Sequence, residues 1–296
     1  MIPGRMVETS IVLFALALVG WMARGLAWGP GTHVHLTRHI LDALARYKKP
    51  AAEHLLALEH PKSFLYGNIA ADVINFKNFG GLKNHCHHWS MHERLVDQAE
   101  TDADGAFILG YLCHLAADVV AHNHFVPYHL VAGLPPRVLG HAYWEAIADA
   151  RTTDEEWEVV AAMRDDRALH HHDRLVWSAV RHRALGPRSN KWIFNNILLL
   201  SLRSSWRELV RAAHRRRTRH PLDRELLHEA LGVCHHNMLA VFDSSKLAVL
   251  KLLDPTGRAA LHGVSVLRRE ILAHPHRRRD LAELSRRLAR SAYGKL

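Results

Sequence analysis

The sequence predicts an all-α protein, a bundle of many helices. Three observations carry this. Apolar residues recur at three- and four-residue spacing in segment after segment, as in Leu36, Ile40, Leu41 and Leu44. No stretch alternates apolar and polar residues long enough to make a strand. Proline and glycine fall between the periodic segments, at Pro61, Pro127, Gly133-Leu-Pro-Pro136, Gly186-Pro187, Pro221 and Asp254-Pro255.

In chain order, residues 1–27 read as an export signal. Arg5 precedes an apolar run from Ser10 to Met22, and Gly25-Leu-Ala27 supplies small residues before a cut at Ala27-Trp28. The run is shorter than the roughly 20 residues of a membrane span, and an uncleaved anchor is the alternative. Cleavage would leave Trp28 with a free α-amine. Helices are then expected over 35–47, 51–58 and 64–75, with a glycine-containing loop at 77–82. The next helix opens at 84–89 and runs towards Ala99. A loop is expected at 102–105, the central helix at 106–121 and a long helix at 139–157. Further helices are expected at 169–184, 190–213, 223–253, 261–273 and 279–293. Residues 28–160 hold the ligand-type residues; 161–296 form a basic helical region, with Arg215-Arg-Arg217 and Arg277-Arg-Arg279. The two regions can share one bundle.

At 296 residues and 48% hydrophobic, the chain has ample material for a core. Its net charge of +10 favours anionic partners: a lipid head group, a nucleic acid or a phosphorylated substrate. Three cysteines, Cys86, Cys113 and Cys234, exclude a disulfide framework, and no Cys-x-x-Cys zinc pair exists. One bridge, Cys86–Cys113, is conceivable. The 26 histidines nearly equal the 29 acidic residues.

Chemistry gathers on the apolar stretch 110–124, which carries His114, Asp118, His122 and His124. His and Asp are costly inside an apolar helix unless something satisfies them. His114 and Asp118 are four apart and share a helix face. His124 is six past Asp118 and on a straight helix points elsewhere, which calls for a second metal or a bend. Asp72, the His85/His87/His88 cluster, His33 or His35, and the pair His141 and Glu145 add imidazole and carboxylate from other segments. Such residues suit zinc, bound four- or five-coordinate by nitrogen and oxygen. A buried His–Asp hydrogen bond is the plainer reading of any one pair.

In order and spacing, Trp28, Thr32-His33, Ala71-Asp72, the His85 cluster, His114-Leu-Ala-Ala-Asp118, His124 and His141-Ala-Tyr-Trp-Glu145 resemble the zinc-dependent phospholipase C family, whose fold S1/P1-type nucleases share. The resemblance covers about residues 28–150. It implies three zinc ions. Asp72, His85, His114 and Asp118 would hold one, with His87 the rival of His85. Trp28, through its amine and carbonyl, and His33 would hold a second, with Asp118 bridging and His35 the rival of His33. His124, His141 and Glu145 would hold the third, with His122 the rival of His124. Asp72 would also orient water or act as general base, and Asn123 would bond a ligand or substrate oxygen. The implied reaction is hydrolysis of the glycerol-side phosphodiester of a phospholipid at a membrane surface. A single-strand nuclease is second, though the arginine runs lack interleaved aromatic residues for stacking bases. A non-catalytic zinc-binding envelope protein is third. No obligate protein partner is expected. Val73 stands where the family's known choline-specific members carry an aromatic residue, which leaves the head group open.

Overall fold

The computed structural model describes residues 28–73, 86–133, 140–180, 186–217 and 222–277, with 279, 280, 283, 284 and 287. The expected signal segment, His85, the 77–82 loop and nearly all of the expected 279–293 helix lie outside them. Among the described residues the regular structure is helical, without a strand.

The central helix, α5 (Asp102–Val120), decides the architecture; before it in the chain come α1 (Pro30–Leu44), α2 (Ala52–Glu59), α3 (Pro61–Ala70) and α4 (Ser90–Val96). Helix α5 begins earlier than expected. The stretch 102–105, read as a loop, is its first turn, because Thr101 and Asp104 cap each other's backbone N–H. From Ala106 onward α5 is buried on almost every side. With its continuation to Ala132 it has the length and apolarity to cross a membrane, yet the apolar stretch lies inside the bundle, as in a core helix.

Helix α3 lies directly against α5. A Cβ on Gly67 would come within 2.0 Å of the Phe107 carbonyl oxygen, and one on Gly110 within 2.0 Å of the Phe64 carbonyl oxygen. The two backbones therefore touch where each helix has a glycine without a side chain. This brings the end of α3, and the short 3₁₀ turn Ala71–Val73 after it, alongside the His114 turn of α5.

Beyond Val120 the chain widens into a π-helical turn, Ala121–Phe125, and resumes as α6 (Val126–Gly133). Pro127 has no N–H to give Asn123, and its ring crowds that carbonyl, so the helix absorbs an extra residue instead of stopping. Next come α7 (Gly140–Asp149), α8 (Asp154–Asp165), α9 (His170–Ala179), α10 (Pro187–Ser201) and α11 (Ser204–Arg217). Helices α12 (Arg224–Ala240), α13 (Ser244–Leu250) and α14 (Arg258–Ala273) complete the ordered elements. Three helices expected to be continuous are each two. The 139–157 segment breaks where Thr153 forms a capping box with Glu156. The 223–253 segment breaks at Asp243, whose carboxylate accepts from Ser245 and Lys246 N–H. The 190–213 segment breaks between Ser201 and Ser204.

Helix α12 covers the other side of α5, with Asn237 Nδ2 3.5 Å from the Ala116 carbonyl and Cys234 Sγ 3.6 Å from that of Ala117. One apolar cluster runs from Trp28 to Leu250, so residues on both sides of position 160 share a core. A smaller cluster of Val131, Val264 and Ile271 seats α14 on α6. All three cysteines are free and buried, so the conceivable Cys86–Cys113 bridge is not formed.

Gly257, the N-cap of α14, has φ +58°, and a Cβ there would lie 2.4 Å from the His122 carbonyl oxygen. Gly257→Ala is expected to cost about 2 kcal/mol, from left-handed strain and this clash. Thermal denaturation measures it.

Candidate metal centre

Five side chains from four segments meet beside the middle of the bundle. Helix α1 brings His33. Its N-cap, Gly29, has no side chain to cap the helix, and Asp149 at the end of α7 does so instead. Asp149 Oδ1 accepts from Thr32 N at 2.6 Å and Thr32 Oγ1 at 3.0 Å. The 3₁₀ turn after α3 brings Asp72, the segment before α4 brings His87, and α5 brings His114 and Asp118. His33, His87, His114 and Asp118 are fully buried and Asp72 nearly so.

Their donor atoms converge. Asp118 Oδ2 lies 3.0 Å from His87 Nε2 and 3.2 Å from His114 Nε2, while Oδ1 lies 3.5 Å from His33 Nε2. Asp72 Oδ1 is 3.2 Å from His87 Nε2. His87 and His114 bring their Nε2 atoms to 2.8 Å of each other. The His33 and His114 rings stack at 4.1 Å. Ligand atoms of His33, Asp72 and His114 lie mutually within 4.8 Å, as do those of His87, His114 and Asp118.

Backbone acceptors set the ring orientations. His114 Nδ1 donates to the Asn68 carbonyl at 2.7 Å, which leaves Nε2 as a lone pair when the ring is neutral. His122 Nδ1 donates to the Pro255 carbonyl at 2.6 Å, to the same effect. Metal-ligating histidines are held in this way by an outer hydrogen bond on the other ring nitrogen.

The second group is His122, His141 and Glu145, again with ligand atoms within 4.8 Å. His141 and Glu145 lie one turn apart on α7, Nε2 to Oε1 2.8 Å. The His122 and His141 rings meet edge-on at 4.9 Å. His122 also lies 3.9 Å from Asp118 Oδ2, so the two groups are neighbours.

Burial, with His114 beside it, lowers the His33 pKa against the pull of Asp118 and Asp72, which favours the neutral form of the ring. Burial alone would raise the Asp118 carboxyl, but His114, His33 and His87 hold it well below the usual carboxylate range. Both ring nitrogens of His33 and both oxygens of Asp118 are buried without a well-formed hydrogen bond among the described residues. Lone pairs of nitrogen and oxygen gathered in this way fit a dication, and this donor set fits zinc.

A model of the zinc-dependent phospholipase C family matches residues 32–193. The chain belongs to that family. Comparison with curated proteins and with solved structures returned no match. The matched span holds every residue of both groups, starts four residues after Trp28 and runs past residue 150, where the legible motifs end.

His35, the rival of His33, points away from the cluster, its Nδ1 3.0 Å from Glu156 Oε1. His87, the rival of His85, stands in the cluster. Trp28 is buried at the entry to α1; its ring N–H reaches the Ala117 carbonyl at 3.3 Å and its ring meets Phe125 at 4.6 Å. His124 is half-buried, its pKa lowered by that burial; the group with His141 and Glu145 contains His122 instead. His122 keeps one-turn spacing from Asp118, and His124 falls two residues further round the π turn. Asn123 donates through Nδ2 to the Val119 carbonyl at 2.9 Å and the Asp254 carbonyl at 2.7 Å, tying this turn to the loop before α14. The Asn68 and Pro255 carbonyls were not foreseen, since a backbone acceptor has no signature in side-chain spacing.

The His35–Glu156 pair gives a pH prediction. Burial would raise the Glu156 carboxyl, but hydrogen bonds from Thr153 and His35 outweigh it and hold the pKa down to about 2, against an ordinary 4.5. A depressed carboxylate stabilises the fold fully above its unfolded pKa and loses that effect as pH falls towards the folded one. Glu156→Gln is therefore expected to lower the Tm at pH 6, with the gap to the wild type narrowing from pH 4.5 to pH 2.

Proposed function

We propose that this chain is an exported trizinc phospholipase C that hydrolyses the glycerol-side phosphodiester of phospholipids. The observation that carries the reading is Asp118, with one oxygen facing His33 and the other facing His87 and His114. A carboxylate so placed suits a bridge between two ions. His33, Asp72, His87, His114 and Asp118 would hold that pair, joined by the Trp28 amine once residues 1–27 are removed, and His122, His141 and Glu145 would hold a third ion. When bound, zinc brings the pKa of a coordinated water towards 7 and polarises a phosphoryl oxygen.

The protein's own groups do the rest. Asp72, slightly open to solvent, orients the attacking water and takes its proton. The fully buried face formed by His33, His87, His114 and Asp118 keeps bulk water from behind the reacting centre. A cleft of about 460 Å³ adjoins His141, lined by Leu130, Leu261 and Val264 with Arg268 and Arg269. Apolar wall and guanidinium together suit an amphiphile with a phosphate, and this favours lipid over nucleic acid. Water adds its oxygen to phosphorus, the bond to the glycerol oxygen breaks, and that oxygen takes a proton. The products are diacylglycerol and a phosphorylated head group.

The test sets phospholipid vesicles against single-stranded DNA, with phosphatidylcholine and phosphatidylethanolamine as separate lipid arms. Diacylglycerol release is the expected result. Cleavage of DNA alone would make the protein a nuclease, and zinc retained without turnover on either would make it a binding protein. N-terminal sequencing of the secreted protein is expected to begin at Trp28; any other start removes the amine ligand.

A further inference from the structure

A third group of ligand-type residues lies at the opposite end of α5, where Asp104 meets His171 and His172 from α9. Asp104 and Asp118 are 14 residues apart, about 21 Å along the helix, so this group is separate from the centre described above. Asp104 Oδ1 lies 3.2 Å from His171 Nε2 and 3.2 Å from His172 Nδ1. The three ligand atoms are mutually within 4.8 Å.

Each imidazole has its other nitrogen engaged. His171 Nδ1 donates to the Ala168 carbonyl at 2.7 Å, an oxygen that only accepts. His172 Nε2 lies 3.0 Å from Ser63 Oγ. In a neutral His171, therefore, Nε2 is a lone pair facing a carboxylate oxygen. His172 is fully buried, and its Nδ1 makes no well-formed hydrogen bond among the described residues although it is aimed at Asp104. A face-to-face stack on Phe107, 4.4 Å between ring centres and 8° between planes, fixes that aim.

The carboxylate is equally well held. Asp104 Oδ2 accepts from Glu100 N, Thr101 N and Thr101 Oγ1, which turns Oδ1 towards the histidines. Two imidazole lone pairs and a carboxylate oxygen, braced from behind and open on the His171 side, make an N₂O ligand set with room for water. From this geometry we propose that Asp104, His171 and His172 form a separate binding site for a divalent ion of the zinc class. The ion fastens α9 to the start of α5.

The experiment counts zinc per chain in the full protein after equilibration with Zn²⁺ alone and removal of excess. His171→Ala is expected to carry one ion fewer than the wild type. His170→Ala, which removes an exposed neighbour outside the group, is expected to carry the same number as the wild type. Because the readout is a difference, it does not depend on how many ions the main centre holds or on what it hydrolyses. His171 is partly exposed, so its loss leaves the core intact, and lipid hydrolysis is expected to be unchanged. Equal counts in His171→Ala and wild type would overturn the site. So would an equal loss in His170→Ala, which would mean ordinary binding by surface histidines.

Discussion

Asp118→Asn is expected to remove two zinc ions together and to cut phosphodiester hydrolysis by more than the ~100-fold that loss of an outer-shell partner costs. The substitution keeps the shape of the side chain and removes its charge. Both carboxylate oxygens are in use, Oδ1 towards His33 and Oδ2 towards His87 and His114. An amide offers one oxygen, so one side faces an NH₂ group that cannot ligate. The side chain is fully buried with no room to turn away. Metal analysis beside the activity assay separates the outcomes. Loss of a single ion would mean that Asp118 serves one position and does not bridge. Unchanged helicity by circular dichroism would show that the fold survives.

Gly110→Ala and Gly67→Ala are each expected to destabilise the fold by about 3 kcal/mol or more, the upper end of the range for overpacking. That corresponds to a fall in Tm on the order of 5–10 °C. The atom each new methyl would meet is a backbone carbonyl oxygen at 2.0 Å, not the movable tip of a side chain. Relief requires α3 and α5 to separate. Asp72 follows α3 and His114 lies one turn beyond Gly110, so separation also pulls these candidate ligands apart. Both variants are therefore expected to bind zinc more weakly even at temperatures where they stay folded. A drop in Tm with unchanged zinc affinity would place the strain elsewhere than in the α3–α5 spacing.

The helical class was legible because periodicity reports burial, and burial dominates this fold. Helix ends were less legible. The break at Thr153 had a local signal, Thr-x-x-Glu156, and that at Asp243 had an acidic N-cap, but apolar periodicity runs across both. The start of α5 was missed for the same reason: Asp102 and Asp104 look like loop residues until Thr101 is seen to cap them.

At the site, spacing pointed to most of the residues and segments that the structure brings together. The choice within each pair depends on three-dimensional context: His33, the preferred member, stands in the cluster, whereas His122 stands where His124 was preferred. His33 and His35 differ by two residues, so they point to different faces of α1, and the positions of Asp118 and Glu156 decide which faces what. His122 rather than His124 joins His141 because Pro127 forces the π turn after Asp118 has already set its helix face. The Asp104–His171–His172 group joins positions some 67 residues apart, beyond the reach of any spacing rule, and Asp104 falls in the stretch 102–105 that the sequence reads as a loop.

Release of diacylglycerol from phospholipid vesicles, followed before and after zinc is stripped by a chelator and then restored, tests the metal-centred mechanism most directly. Hydrolysis should vanish on stripping and return with zinc, in step with the ions that His33, Asp72, His87, His114, Asp118, His122, His141 and Glu145 are proposed to hold. Undiminished hydrolysis by protein shown to be free of zinc would contradict it.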